Sequence, residues 1–333
     1  MTLVQHQALR AIQPYRETPI DQKTNFLSHP VFQLTGHSGS VNECHFSPDG
    51  NLLASCAGEI ILWKVGSEIQ SVGAIRSHNF PITSLAWFVD GTKFATSSAD
   101  KTVALIDTGS GKVIRRFKDH REIVNCVQFT KDGQNLIVSG DDAGYVMVND
   151  VRVRECVIKL KSNSPVTSIS TNPYFVAVGG VCGNIFVDCL FENRLKMVYT
   201  LPGESIIFGT AFSPNLKYIA SNESNGTLKI FSVQAQDEGS NRLLSVTQNG
   251  EPMQEVVPSR VAFSPDGRYV MCGSSDRLLR IFDIENVFEP LLKYELPGHK
   301  GAVTGVDFHP THPIVVSGST DGTIIVGELK ESV

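Results

Sequence analysis

The 333-residue sequence lacks most features that mark a secreted, membrane-bound or metal-binding protein. Its seven cysteines are scattered, and no two are spaced as a CxxC pair, so neither a zinc site nor a redox site is indicated. No stretch approaches the roughly 20 apolar residues of a membrane span, and no basic start precedes an apolar run. We therefore expect buried thiols in a reducing compartment, with no metal, no cofactor and no membrane partner.

An excess of positive charge is also missing. The formal net charge is -5 at pH 7, which argues against a chain held to nucleic acid by phosphate contacts. Residues 112–161 depart from this balance, with ten basic against seven acidic side chains. Solvated strand edges explain such a segment, and an RNA-facing edge is the alternative. Any RNA contact is expected to be indirect or peripheral.

Long helical patterns are absent as well, and a short repeat takes their place. Apolar-x-x-apolar-x-aromatic recurs with separations of 41, 42, 42, 41, 51 and 45 residues, near the roughly 40–45-residue period of a four-stranded propeller blade. The polar loop 234–242 accounts for the longest separation. The last position of the pattern is filled by Phe46, Trp87, Phe129, Thr171, Phe212, Phe263 and Phe308.

Turns follow these strands, as in Ser47-Pro48-Asp49-Gly50, where Pro presets φ and Gly accepts the positive φ that closes a hairpin. The sequence therefore predicts an all-β, seven-bladed β-propeller over residues 31–333. Residues 1–30, with little periodicity, are expected to form an irregular N-terminal tail.

The repeat resembles the WD-repeat family from Pro30 to Leu329. Gly36-His37 and Gly298-His299 match the Gly-His of that family, and Asp107 matches the Asp of its terminal Trp-Asp. In the family a His, a Ser or Thr, an Asp and a Trp form a hydrogen-bonded set within a blade. The resemblance implies such a structural role for His37, Ser55, Trp63, His78, Thr96, Asp100, His120, Ser139, Asp276, His299, Ser317 and Asp321.

Several units depart from the family pattern. The Trp position is filled by Trp63 in the first unit, but by Asp188 in the fourth and Gly327 in the last. The fourth unit has no His and has Val178 and Cys182 where Ser and Asp would stand. We expect lower local stability there, because each missing buried hydrogen bond forfeits roughly 0.5–1.5 kcal/mol.

Catalytic and metal sites are not indicated. A Ser, a His and an Asp recur in several units, whereas a hydrolase needs one such set with an oxyanion hole and an open pocket, so no catalytic residue is expected. Asp307, His309 and His312 have ligand-like spacing, but the neighbouring prolines favour a turn over a metal site.

Binding is instead expected on one face of the propeller, in the loops before each first strand and the turns between second and third strands. Apolar residues stand in these loops where polar ones would be expected, with basic residues beside them. We predict that they bind a protein partner; the alternative for the apolar ones is packing against neighbouring blades. The candidates are Phe80, Pro81, Arg121, Ile123, Ile206, Val257, Arg277 and Lys300.

The last unit, "YELPGHKGAVTGVDFHPTHPIVVSGSTDGTIIVGEL", resembles the family of WD-repeat subunits of the spliceosomal U5 small nuclear ribonucleoprotein, which also closes on Gly-Glu. "PVFQLTGHSGSV" at 30–41 and "DKTVAL" at 100–105 match as well. The resemblance implies a nuclear, non-enzymatic scaffold in pre-mRNA splicing, docked on the large U5 protein and other U5 components and monomeric within that complex. An adaptor of a ubiquitin ligase or a chromatin complex is the alternative.

The seventh unit is one strand short. Residues 31–35, "VFQLT", precede the first Gly-His and belong to no other unit. We predict that they pair with Ile324 to Leu329, which closes the ring and covers two strand edges.

Overall fold

The computed structural model describes residues 26–131, 135–162, 164–191, 194–234, 242–250 and 257–330, and the backbone of residues 13–14. Within these residues the chain forms strands and turns without a helix, in seven antiparallel sheets that are the blades of a β-propeller. No helix in this part of the chain could cross a membrane. The predicted all-β propeller with seven blades is therefore confirmed.

Two short strands precede the first blade: β1 Gln13–Pro14 and β2 Val31–Leu34. The strands of the next four blades follow in chain order, each blade running from its inner to its outer strand. Blade 1 comprises β3 Glu43–Phe46, β4 Leu52–Cys56, β5 Ile60–Lys64 and β6 Gln70–Ile75. Blade 2 comprises β7 Ile82–Trp87, β8 Lys93–Ser98, β9 Val103–Asp107 and β10 Val113–Phe117. Blade 3 comprises β11 Val124–Phe129, β12 Leu136–Asp141, β13 Tyr145–Asp150 and β14 Cys156–Lys161. Blade 4 comprises β15 Val166–Thr171, β16 Phe175–Gly180, β17 Ile185–Phe191 and β18 Arg194–Leu201.

The last three blades repeat this order, except that the seventh takes its outer strand from β2. Blade 5 comprises β19 Ile207–Phe212, β20 Tyr218–Glu223, β21 Thr227–Ser232 and β22 Leu243–Gln248. Blade 6 comprises β23 Val261–Phe263, β24 Tyr269–Gly273, β25 Leu279–Asp283 and β26 Leu291–Leu296. Blade 7 comprises β27 Val303–Phe308, β28 Ile314–Ser319 and β29 Ile324–Glu328.

The hydrophobic core is divided into layers that lie between neighbouring blades. In one layer Ile60 and Ile75 of blade 1 pack with Ile82, Leu85 and Phe94 of blade 2. Because both faces of each sheet are covered by a neighbour, the inner and middle strands are buried along almost their whole length, whereas the outer strands are largely exposed.

Polar side chains at the inner strands join five of the seven blades to the next one. The Asn42 side-chain amide donates to the Ile82 carbonyl at 2.6 Å, and Asn125 donates to the Val166 carbonyl at 2.9 Å. Three threonines make the equivalent bond to the carbonyl of the following blade: Thr83 to Val124, Thr167 to Ile207 and Thr304 to Val41. The last of these bonds connects blade 7 to blade 1.

The predicted ring closure is also confirmed. Strand β2 pairs antiparallel with β29, with Val31 opposite Gly327 and Leu34 opposite Ile324. Phe32 is buried in the same core layer as residues of blades 1 and 7.

The Gly-Glu ending has a distinct role in this closure. The Glu328 carboxylate accepts hydrogen bonds from the backbone N–H groups of Phe26 at 3.1 Å and Leu27 at 3.0 Å. Leu27 is only 2% exposed, so the carboxylate fixes a buried anchor that precedes β2. Residues 26–30 of the predicted tail are irregular bends, and β1 pairs with β2; the remainder of the tail lies outside the described residues.

One expectation about the cysteines was wrong. Cys44, Cys56, Cys126 and Cys272 are buried, but Cys156 and Cys189 are half-buried and Cys182 is exposed. Cys182 is exposed because it lies in the turn between β16 and β17, and not inside a strand. Most of the loop 234–242 lies outside the described residues.

Replacing Glu328 by Ala should destabilise the propeller by about 1–3 kcal/mol, because two charge-assisted hydrogen bonds to the segment before β2 are lost. Glu328→Gln, which keeps one acceptor oxygen, should fall between the two proteins. Urea unfolding followed by tryptophan fluorescence measures the difference, and Glu289→Ala, at an exposed position of blade 6, is the control. Equal stability of Glu328→Ala and Glu289→Ala would contradict a closing role for Glu328.

Candidate protein-interaction face

A single position of the inner strand lines the central channel in every blade, and five of the seven residues there are small. The residues at this position, three places before the last position of the sequence repeat, are Glu43, Ser84, Cys126, Ser168, Gly209, Arg260 and Gly305. A Cβ added to Gly305 would lie 2.7 Å from the backbone N of Cys44, so the inner strands approach too closely for a side chain there. The two large residues, Glu43 and Arg260, therefore share the space that the small ones leave.

Arg260 reaches across the channel from blade 6. One terminal nitrogen of its guanidinium, Nη1, donates to the carbonyls of Thr167 in blade 4 and Phe208 in blade 5, both at 3.0 Å. The other, Nη2, donates to the Asn125 carbonyl of blade 3 at 3.3 Å. The planar fork of the guanidinium thus holds the inner strands of four blades in one arrangement.

Glu43 provides the opposite charge. Its Oε1 lies 2.9 Å from Arg260 Nε, and its Oε2 accepts a 2.6 Å hydrogen bond from the backbone N–H of Leu85 in blade 2. Burial works against ionisation of this carboxyl, but Arg260 and His45 lower its pKa to about 2. Glu43 is therefore an anion at neutral pH.

His45 extends this group of charges to blade 7. Its ring nitrogens lie 3.3 Å from Asp307 and 3.6 Å from Glu43. Burial of the ring disfavours its charge, yet the two carboxylates raise the pKa of His45 to about 10. We name Glu43, His45, Arg260 and Asp307 the channel charge cluster. Its contacts include the inner strands of all seven blades.

The sets of His, Ser or Thr, and Asp are assembled in blades 2 and 7. In blade 2, His78 lies 2.9 Å from both Thr96 Oγ1 and Asp100 Oδ2, and the backbone N–H of Asn79 donates to Asp100 at 3.3 Å. Since Asn79 directly precedes Phe80, the set fixes the loop that presents this side chain.

Blade 7 has the same arrangement. His299 Nε2 lies 2.9 Å from Ser317 Oγ, and the backbone N–H of Lys300 donates to Asp321 at 2.7 Å. His299 Nδ1 is 3.5 Å from Asp321 and 3.1 Å from Thr323.

Blades 1 and 3 differ from this arrangement. His37 and Trp63 both bond to Ser55, at 2.7 and 2.9 Å, but the buried Nδ1 of His37 has no partner among the described residues, and burial lowers the pKa of His37 to about 4. In blade 3, His120 bonds to Ser139 at 2.8 Å and to Asp141 at 2.7 Å. Sequence analysis missed Asp141, because this residue stands two places before the position that Asp100 takes in blade 2.

In blades 5 and 6 the carboxylates are paired with cations from the third strand. Arg280 lies 2.6 Å from Asp276, and Lys229 lies 3.1 Å from Glu223. Lys229 and Arg280 share one register position, opposite Ser221 and Cys272. A cation at the same register position of two otherwise apolar strands was a signal for these pairs that sequence analysis did not use.

The loops before the inner strands and the turns between second and third strands meet at one end of the propeller. Backbone bonds demonstrate this: Ile82 N–H donates to the Ala57 carbonyl of the preceding blade at 2.7 Å, and Val303 N–H donates to that of Ser274 at 2.9 Å. We call this end the interaction face.

The predicted binding residues differ in exposure on the interaction face. Phe80 is 60% exposed, and the Ser98 hydroxyl fixes its loop by donating to the carbonyls of Phe80 and Pro81. The exposed candidates are Phe80, Pro81, Arg121, Arg277 and Lys300. The half-buried candidates are Ile123, Ile206 and Val257.

The basic side chains of residues 112–161 lie on the outer strands β10 and β14 and in the loops of blades 2 and 3, and several of them contact groups of this same chain. Arg115 donates to the Val153 carbonyl at 2.6 Å, and Arg152 lies 2.7 Å from Asp150. The Lys159 ammonium lies 4.4 Å from the centre of the Tyr145 ring. Such contacts are typical of solvated strand edges, and whether this segment faces RNA stays a prediction.

The histidines of residues 307–313 are also engaged within the fold. His309 Nε2 lies 3.1 Å from the Gly50 carbonyl, and the His312 ring lies 3.9 Å from that of Phe26. Among the described residues no group of His, Cys, Asp and Glu side chains could hold a metal ion.

Comparison with known families and proteins gives a consistent picture. The family "WD domain, G-beta repeat" matches residues 28–64, 195–232, 254–283 and 290–326, and "Anaphase-promoting complex subunit 4 WD40 domain" matches residues 61–132. The U5 small nuclear ribonucleoprotein 40 kDa protein of Dictyostelium discoideum is 32% identical over 93% of this chain and 87% of its own. Pre-mRNA-splicing factor cwf17 of Schizosaccharomyces pombe is 32% identical over 94% of this chain and 92% of its own. The human U5 small nuclear ribonucleoprotein 40 kDa protein is 30% identical over 91% and 85%.

The stability that His45 contributes should depend on pH. Because its pKa in the folded protein, about 10, exceeds the ordinary value of 6.5, the contribution is complete below pH 6.5 and is lost as the pH rises towards 10. The difference in unfolding free energy between wild type and His45→Gln should shrink by a few kcal/mol over this interval, at about 1.4 kcal/mol per pH unit. Urea unfolding at pH 6, 8 and 9.5 measures it, with the exposed His29→Gln as control. A difference that is constant with pH would contradict a charged His45.

Proposed function

The chain belongs to the WD-repeat family, in the group that includes the U5 small nuclear ribonucleoprotein 40 kDa proteins, and we propose that it is a non-enzymatic protein-interaction scaffold of the U5 particle in pre-mRNA splicing. The observation that carries this proposal is the similarity to splicing proteins over more than nine-tenths of the chain. The similarity includes the complete ring of blades and is not limited to a few repeats.

The interaction face supports a docking role. Phe80 projects from a loop whose backbone is held by Asp100 and Ser98, so an exposed aromatic side chain is presented on a rigid base. A large apolar side chain that is ordered before binding loses little conformational entropy in a complex. Arg121, Arg277 and Lys300 add positive charge at the same end, where each contact contributes little alone.

The proposed partners are the large U5 scaffold protein and other U5 components. The histidine sets of blades 2 and 7 have a structural role in this proposal, since Asp100 and Asp321 of these sets accept hydrogen bonds from the loop backbone at Asn79 and Lys300. RNA contact is indirect or peripheral, because the net charge is -5 and several basic side chains already have partners in the fold. The protein acts in the nucleus as a single copy within the larger complex.

The U5 assignment is tested by purifying the tagged chain under native conditions, sequencing the bound RNA and identifying the bound proteins by mass spectrometry. We expect U5 RNA and the large U5 protein to be enriched over an untagged control. Recovery of neither would refute the splicing assignment. Recovery of a ubiquitin ligase or a chromatin complex in their place would support the alternative class of WD-repeat adaptor.

Replacing Phe80 by Ser should reduce capture of the large U5 protein at least tenfold without a comparable loss of stability, because the side chain is 60% exposed in the free protein. Phe288→Ser is a matched control, since Phe288 is 67% exposed in a loop at the opposite end of blade 6. Quantitative pull-down and thermal melting of both variants separate binding from folding. A melting temperature that falls sharply only in Phe80→Ser would show that Phe80 packs in the core.

A further inference from the structure

In blade 4 an aspartate takes the place that a tryptophan fills in blade 1. Trp63 lies opposite Leu53, and Asp188 lies opposite Val176 at the same register position. Trp63 is fully buried and donates to Ser55, whereas the residue at the position of Ser55 in blade 4 is Val178. The exchange of an indole for a short carboxyl therefore removes both side-chain volume and a hydrogen-bond partner.

A cleft of about 190 Å³ lies at this place between blades 3 and 4. Its walls are apolar, with Val146 and Leu160 from blade 3 and Phe186 and Leu195 from blade 4. It is larger than the about 150 Å³ cavity that can accept benzene. Met197, which lines the cleft, is 60% exposed, so the cleft opens to solvent.

Asp188 is the acidic group of this cleft. The residue is 2% exposed, and no described residue forms a hydrogen bond or an ion pair with its carboxyl. A buried carboxylate without a partner is costly, and native proteins pair nearly all such groups. An unpaired carboxyl that lines an open apolar cleft is therefore a feature that a ligand of opposite charge would complete.

We propose that this cleft binds a lysine side chain of a partner protein, with its four methylene groups along the apolar walls and its ammonium group at Asp188. Lysine combines an apolar stem with a compact cation, which matches a narrow apolar cleft with one carboxyl. The inference rests on the proposed scaffold function and adds to it a second contact point between blades 3 and 4, on the side of the ring next to the interaction face.

Binding of this kind should depend on pH. Burial raises the pKa of Asp188 to about 6. The other charged side chain of the cleft is Lys161, whose ammonium lies 5.5 Å from the centre of the Tyr145 ring, and Lys196 on β18 is exposed between Leu195 and Met197. Because the ionised fraction of Asp188 falls about tenfold between pH 7.5 and pH 5, lysine affinity should fall by a similar factor.

The test is a titration of the full chain, labelled at the methionine methyl carbons, with the peptide acetyl-Gly-Lys-Gly-amide and with acetyl-Gly-norleucine-Gly-amide. We expect the lysine peptide to shift the Met197 methyl resonance saturably at pH 7.5 and to bind at least tenfold more tightly than the norleucine peptide. Asp188→Asn should abolish that preference, and Met197→Trp, at an exposed position, should block both peptides. Asp90→Asn, an exposed aspartate of blade 2, is the control.

Equal affinity for the two peptides, or an unchanged lysine preference in Asp188→Asn, would overturn the proposal. The titration uses no U5 component, so its outcome is separate from that of the purification experiment. Loss of U5 recovery with intact lysine binding would refute only the proposed function, and loss of lysine binding with intact U5 recovery would refute only the cleft.

Discussion

The ion pair between Arg260 and Glu43 is the interaction on which the geometry of the ring depends. Taking two charges out of water is expensive, and the cost is offset only when the geometry is good and further hydrogen bonds hold the two groups in place. Here the partners are main-chain groups at the beginning of inner strands, including the carbonyls of Asn125, Thr167 and Phe208. Each of these residues is the second residue of its strand, one place after the strand begins at a loop of the interaction face. The position of the loops is thus set from inside the ring, by the buried charges of Glu43 and Arg260.

The closure of blade 7 solves a second problem, which is how a ring made of one chain is held together. Pairing of β2 with β29 joins its two extremities through main-chain hydrogen bonds, and Glu328 adds a charged contact to the segment in front of β2. In blade 1 the corresponding place belongs to Trp63, which is fully buried and donates to Ser55 of the same sheet. Exchange of a packing aromatic residue for Gly327 and Glu328 therefore changes a local contact into one that spans the whole sequence.

Features with a local signature were predictable from the sequence. The repeat period gave the number of blades, the alternation of strands and turns gave their order, and an unassigned apolar strand gave the closure by residues 31–35. The histidine sets of blades 2 and 7 followed from family positions. Features that depend on packing across the ring were not predictable in the same way. Glu43 and Arg260 are 217 positions apart, and only alignment of all seven units on one inner-strand position reveals two opposite charges among small residues. The cleft at Asp188 was hidden for a related reason: the substitution was visible in the sequence, but the space it leaves depends on blade 3.

The distance along the chain between the two halves of the closure affects how the protein is made. Phe26 and Glu328 are 302 positions apart, so at about 5–20 residues per second a ribosome needs about 15–60 s to produce the second after the first. During this time the earlier blades can form, since each is built from consecutive strands, while Val31–Leu34 presents an unpaired apolar edge. The ring thus closes only late in synthesis, and until then this strand edge is open to pairing with other chains.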